Sequence, residues 1–399
     1  MDDLFDLNSL EMGQDTSDLE DGSGVDMETD LIQAIPTQDP YWKVSTQELV
    51  TFLSLASAFG WKSGRDLTSK SVCLKSEGEI LHCYATDFDS YIHYTIPIQT
   101  QSPTQANAVL IFPSSTLLKL VRLCGKYTVI RTDPTPSLLF TSQWEEIEAL
   151  NLSPSSFINS DSTQVQGEMT FPNLAKRVSI LSSAQYPKDR SMIFTPTFIH
   201  QTYLWSTFQS SIESTLPFSF ELSFRDISLL HFQPGSKVTI SLTKNTDLPR
   251  IQFSQDNLSV LLLFREPENI PTKISALSSQ VSVDPSFIEP LTTLSEILPS
   301  SSGHLTLAYT QEAGLQLTLL KTSTSPTTYS IPFSQVSEAP QSLPPSKLQA
   351  KLLKMAIKTI PSSSVLLSWD SQSFVLQGGD SMVSSLWETM TNLCTSITQ

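Results

Sequence analysis

Basic residues are missing from the first forty positions of this 399-residue chain, and the first one is Lys43. Histidine and cysteine are sparse, with five and four copies, and the longest apolar runs, such as Val260 to Phe264, are short. Each scarcity excludes something. A bilayer-spanning helix needs about 20 apolar residues, and a secretory leader needs a basic start followed by an apolar stretch. The expectation is therefore a soluble cytoplasmic chain with no membrane partner. The cysteines, Cys73, Cys83, Cys124 and Cys394, form no C-x-x-C pair and match no zinc spacing, so buried free thiols are expected. The histidines (His82, His93, His200, His231 and His304) are scattered without metal spacing. There is no glycine-rich phosphate loop and no nucleophile elbow. Asp87 and Asp89 are close in sequence, but they fall at a strand turn, where Asp favours the bend. No enzyme activity, cofactor or metal is expected.

What is present is polar, uncharged and strand-favouring. Hydrophobic residues make up 39% and charged residues only 16%, a balance that suits a β-rich globular body. The net charge of −16 is concentrated: residues 1–40 hold twelve carboxylates, leaving 28 acids against 24 bases in the rest. The chain thus reads as an acidic tail on a nearly balanced body. The tail is too polar to bury a core, which predicts disorder over most of it. Its apolar islands are Leu4-Phe5-Asp6-Leu7 and Leu31-Ile32-Gln33-Ala34-Ile35.

Three apolar-proline-apolar triplets punctuate the body: Ile96-Pro97-Ile98, Leu216-Pro217-Phe218 and Ile331-Pro332-Phe333. The prolines lie 120 and 115 residues apart, a period of domain size. Around them the pattern predicts helices near 46–59, 114–124, 173–184, 221–232, 286–298 and 346–360. Strand-like runs lie near 70–75, 79–85, 91–98, 127–132, 137–142, 198–206, 212–218, 237–243, 249–254 and 258–264. In the last third they lie near 304–309, 314–320, 328–333, 363–369, 372–377 and 381–387. Segments 151–170 and 266–280 read as polar linkers. The fold class is α+β, with three tandem domains at 41–150, 151–275 and 276–399, each carrying two helices packed on antiparallel sheets.

In this order and spacing of elements the chain resembles the bacterial sliding clamp, the β subunit of replicative DNA polymerase. The clearest local match is Glu79-Ile80-Leu81-His82-Cys83-Tyr84-Ala85-Thr86-Asp87, followed by Asp89 and Tyr91-Ile92-His93-Tyr94. It is similar to the family's first-domain Leu-x-x-x-Ala/Gly-Thr-Asp strand. Residues Gly314 to Leu317 and the closing helix and strands match by position. The resemblance covers roughly residues 43–390 and implies a head-to-tail homodimeric ring of six domains. Such a ring surrounds double-stranded DNA regardless of sequence and tethers a DNA polymerase and other replication proteins. The divergence fits a viral or phage chain.

The resemblance also implies where the function would be carried. Helices lining a DNA channel should be basic. Lys347, Lys351, Lys354 and Lys358 are spaced four, three and four apart, which gives them one face of the predicted last helix. Lys119 and Arg122 lie on the second helix of the first domain. Lys176 and Arg177 lie on the first helix of the second, with Arg225 on its next one. By contrast, residues 46–59 and 286–298 carry no base. Clamps bind partner peptides near the chain's end, where Met382, Val383, Leu386 and Trp387 match by position. Leu4 and Phe5 resemble the Leu-Phe ending of clamp-binding peptides, so the tail itself is a candidate docking segment. The competing reading is a clamp-fold interaction protein, a transcription coactivator or scaffold, that does not encircle DNA.

Overall fold

The computed structural model describes residues 40–57, 66–100, 108–140, 143–159, 161–174, 187–203, 206–243, 248–290, 304–319, 326–336, 340–349, 364–370, 373–379 and 381–386. Short pieces at 59, 178, 181–182, 353–354 and 357 are also described.

A strand, a helical segment and three more strands recur six times along the chain. The first unit is β1 (Tyr41–Ser45), helix α1 (Thr46–Ser57), β2 (Ser71–Glu77), β3 (Ile80–Thr86) and β4 (Tyr91–Thr100). The second is β5 (Val109–Pro113), α2 (Ser114–Val121), β6 (Tyr127–Arg131), β7 (Ser137–Phe140) and β8 (Gln143–Glu146). The third runs β9 (Thr163–Thr170), helical residues at 178 and 181–182, β10 (Ser191–Phe194), β11 (Phe198–Tyr203) and β12 (Ser206–Ser211). In the fourth, β13 (Phe220–Ser223) leads through the single turn α3 (Phe224–Ile227) into β14 (Lys237–Thr243), β15 (Arg250–Gln255) and β16 (Leu258–Leu263). The fifth has β17 (Ser279–Val283), a helix over 285–290, β18 (His304–Thr310), β19 (Gly314–Leu319), β20 (Thr327–Ser330) and the short β21 (Phe333–Gln335). The sixth has β22 (Leu343–Gln349), helical residues at 353–354 and 357, β23 (Val365–Trp369), β24 (Ser373–Gly378) and β25 (Ser381–Leu386).

One pairing rule joins the units two by two. The strand before each helix pairs antiparallel with the first strand after the partner unit's helix. This gives β1 with β6 and β5 with β2, then β9 with β14 and β13 with β10, then β17 with β23 and β22 with β18. The last strands then join the pairs into larger sheets. Strand β4 pairs with β16 through Tyr94↔Leu258 to Tyr91↔Leu261, and β12 pairs with β25 through Ser206↔Ser385 to Ser210↔Ser381. Among the described residues the result is one 12-stranded, one 9-stranded and one 4-stranded sheet.

Side-chain alternation explains the strands. In β1, Trp42 and Val44 face the core while Tyr41, Lys43 and Ser45 face away. Helix α1 buries Leu49, Phe52, Leu53 and Ala56 at helical spacing, on the same core. That core runs without interruption from Trp42 to Leu262, across the β4–β16 junction. A second core fills the last third around Leu305, Leu317 and Trp369 and takes in Tyr203 and Phe208 from β11 and β12.

Several expectations fail for identifiable reasons. The segment 151–170, read as a linker, contains β9, whose alternation is weak because only Met169 in it is buried. There Gly167 lies against Thr215, where an added Cβ would meet Oγ1 at 2.7 Å, beside a register shift in the β9–β14 ladder. Residues 221–232 are not a helix. Phe220 and Leu222 alternate into the core, and Ser223 accepts the Asp226 N–H (3.3 Å) to cap one turn. Residues 212–218 form no strand; the strand before them is β12, and β1, β5, β8, β10, β13 and β17 were not expected, the last beginning inside the segment 266–280 read as a linker. The largest correction is at the last helix. Pro344-Pro345-Ser346 do not open it but lie in β22, at the edge of the 4-stranded sheet. Two consecutive prolines fit because they sit on an edge strand at a register shift, between Leu307↔Ser346 and Tyr309↔Leu343, where β18 does not call for both N–H groups. The triplets hold their topological meaning. Each precedes the strand that leads into the second helical segment of its pair, although Pro97 itself lies within β4.

Candidate nucleic-acid and partner interfaces

The helix layer presents its clearest basic patch at α2. Lys119 and Arg122 are exposed one turn apart, followed by exposed Lys126. Leu123 between them is 74% exposed. Neighbouring α1 exposes Gln47, Thr51 and Ser57 and carries no base, so the charge on this layer is one-sided. The four-lysine stripe does not form as read. Lys347 lies on β22, opposite Thr306, rather than on a helix. Lys354 is helical and half-buried, while Lys351 and Lys358 lie outside the described residues. So do Lys176 and Arg177. Arg225 is taken out of any channel by Asp87, its ion-pair partner in the β3–β4 turn, whose side chain is 6% exposed.

Of the predicted partner-binding residues, Met382 and Val383 lie on β25, Met382 half-buried and Val383 buried against the second core. Leu386 ends that strand and pairs with Ser373. Trp387, Leu4 and Phe5 lie outside the described residues. Sequence reading missed the sheet edges. Of the six units' last strands, four pair across the two junctions. Of the remaining two units, β8 pairs only with β7 among the described residues, and in the fifth, where the short β21 returns to β17, β20 closes the β18–β20 meander and pairs only with β19. The consecutive acids Glu145 and Glu146 on β8, a common device of edge strands, were the one available signal.

The junction between the first two pairs of units is held by polar clasps. Arg250 donates to Asp161 (3.0 Å) and to the Phe88 carbonyl (3.1 Å), and its guanidinium lies 5.4 Å from the Tyr91 ring centre. Phe88 has φ of +71°, an uncommon conformation for a residue with a side chain. The Thr86 hydroxyl holds it by accepting its N–H at 2.8 Å. On β4 at the same junction, His93 opposes Ser259, contacts His82 (Nε2 to Nδ1, 3.0 Å) and stacks on Tyr84 at 4.6 Å. Burial, then the neighbouring His82, pushes His93 down from 6.5 to about 4. The folded state thus favours the neutral ring. Its contribution to stability is complete above pH 6.5 and lost as the pH falls toward 4. We expect His93→Phe to flatten that decline by about 2 kcal/mol, measured as the difference between parent and variant in urea unfolding across pH 4 to 7.

Cys73 and Cys83 are buried free thiols on opposite faces of the sheet, and Cys124 is free and half-buried. Burial raises the Cys73 thiol to about 11 and pushes Cys83 well up. Among the described residues no group of three or more His, Cys, Asp or Glu could hold a metal ion. No described helix is long and apolar enough to cross a membrane.

This architecture is that of the DNA sliding clamps. The Bacillus subtilis DNA polymerase sliding clamp superposes with a TM-score of 0.71 at 10% identity. The Helicobacter pylori beta clamp bound to a DNA ligase peptide gives 0.67 at 14%, and the Thermotoga maritima DNA polymerase III beta subunit 0.68 at 13%. Each comparison covers 88% of this chain and all of the other. No family model and no curated protein sequence matches the chain. The likeness is one of fold, α+β with three clamp-like domains.

Proposed function

We propose that two copies of this chain close head to tail into a six-domain ring around duplex DNA and tether a polymerase and other replication proteins. The domains run over 41–150, 151–275 and 276–399, behind the acidic tail of 1–40. The protein acts by encirclement rather than by catalysis, inside the cell. One observation carries this reading. At each internal junction the last strand of a domain's first half pairs with the last strand of the next domain's second half. The same rule applied once more joins β20 of one copy to β8 of another, and two such joints close a ring. The clamp-like fold and the exposed Lys119 and Arg122, one turn apart on the helix layer, support a sequence-independent grip on phosphates. Within this reading Lys351, Lys354 and Lys358 face the same channel, and β25 with Trp387 forms part of the partner site.

Retention on DNA tests it. The ring should stay on circular duplex after a high-salt wash and slide off once the circle is cut. Equal loss from both forms would point instead to a clamp-fold interaction protein that does not encircle DNA.

A further inference from the structure

The face of the first sheet turned away from the helices carries a cluster that the ring does not use. Tyr41 and Trp144 pack on Val129 and Leu139 in a small satellite cluster apart from the main core. The Lys43 ammonium lies 4.3 Å from the Tyr127 ring centre, Lys126 lies 5.3 Å from it, and Arg131 lies 4.9 Å from the Trp144 ring centre. Strand register brings these residues together, since Tyr41 faces Arg131 and Ser45 faces Tyr127. The result is an apolar strip with three cations resting on its aromatic rings.

We propose that residues 1–39 of the same chain dock on this strip. Three observations select that occupant. Those residues hold twelve carboxylates and no base, interleaved with apolar islands such as Leu31 to Ile35, which complements cations set over aromatic and aliphatic side chains. They join the fold at Pro40, directly before Tyr41, so they emerge at the strip itself. Tethering there gives them a local concentration on the order of millimolar, so contacts too weak to bind a free peptide still hold. The cations cover the tyrosine and tryptophan faces. This disfavours base stacking by a single-stranded nucleic acid, and cations attract carboxylates. Glu146 on β8, on the same face as Trp144, confines the docked segment to the β1–β6 side.

Zero-length carbodiimide coupling of the full-length chain, read by peptide mass spectrometry, tests this. Amide links from tail carboxylates to Lys43 and Lys126 are expected, with a yield independent of protein concentration and reduced at least tenfold by 1 M salt. In a second assay, a labelled peptide of residues 1–39 is added to full-length chain in which all twelve tail acids are amides. It should bind there better than to the native chain, and Lys43→Gln, Lys126→Gln and Arg131→Gln together should weaken it about tenfold. Lys119→Gln with Arg122→Gln should leave it unchanged. If the triple variant does not fold, Lys43→Gln alone and the salt series on the parent give the same readout. Links confined to Lys119 or Lys354, no links at all, or an oligonucleotide that binds the strip while the peptide does not would each overturn the proposal. No readout involves ring closure or duplex DNA, so failure here and failure of the ring are separate results.

Discussion

Thr328→Pro should halve the mass of the particle in solution, from about twice 44.2 kDa to 44.2 kDa, without unfolding the chain. The Ile331 N–H donates to the Leu315 carbonyl (2.9 Å), so by alternation the N–H groups of Thr328 and Ser330 point away from β19 toward the open edge. On β8 the Ile147 N–H reaches the Pro136 carbonyl (2.9 Å), which turns Trp144 and Glu146 outward in the same way. A proline at 328 keeps the β19–β20 ladder, removes one outward donor and sets its ring against the approaching strand. Two joints per ring carry this damage. We expect at least ~2 kcal/mol per joint, so ~4 kcal/mol per ring and on the order of a thousandfold in dimer affinity, together with loss of retention on circular DNA. Glu146→Pro should do the same from the other side. Sedimentation showing the parent itself to be a monomer at micromolar concentration would remove the ring.

Arg225→Ala should cost more in folding stability than any other single change on the junction surface. It leaves the Asp87 carboxylate, 6% exposed, without its counter-charge, at an expected cost of about 3 to 5 kcal/mol. Asp87→Ala costs less, because the arginine that remains is 24% exposed. Combining the two should recover part of the loss. A coupling of at least ~1 kcal/mol in a double-mutant cycle by urea unfolding is the expected result, and simple additivity would show that the pair contributes nothing specific.

The fold was legible where burial imposes a period. Helix α1, with Leu49, Phe52, Leu53 and Ala56, and the strands from β14 to β16 could be read from their own residues. Reading failed where tertiary position overrules local chemistry. Pro344-Pro345-Ser346 is a good helix start in isolation, yet β18, with Leu305, Leu307 and Tyr309 buried, takes that segment as its partner. The lysine periodicity was real in the sequence, but its first member, Lys347, lies on β22 rather than on a helix. The joints were invisible for a different reason. An edge strand is defined by what does not pair with it, and beyond the consecutive acids Glu145 and Glu146 on β8 no residue recorded that. Asp87 and Arg225 lie 138 residues apart, and each alone reads as surface charge.

The pairing across β4–β16 and β12–β25 has a consequence for how such a chain diverges. The hydrogen bonds of such a joint ask nothing of the side chains along it, since every residue but proline supplies N–H and C=O, and packing asks only that the inward positions, such as Ile92 and Val260, stay apolar. Mutations can therefore accumulate along these joints while the joints stay in place. Drift of this kind would erase recognisable sequence long before it altered the shape, and 10–14% identity over full-length clamps is compatible with it. What selection must guard at these positions is the exclusion of proline and the parity of the strand.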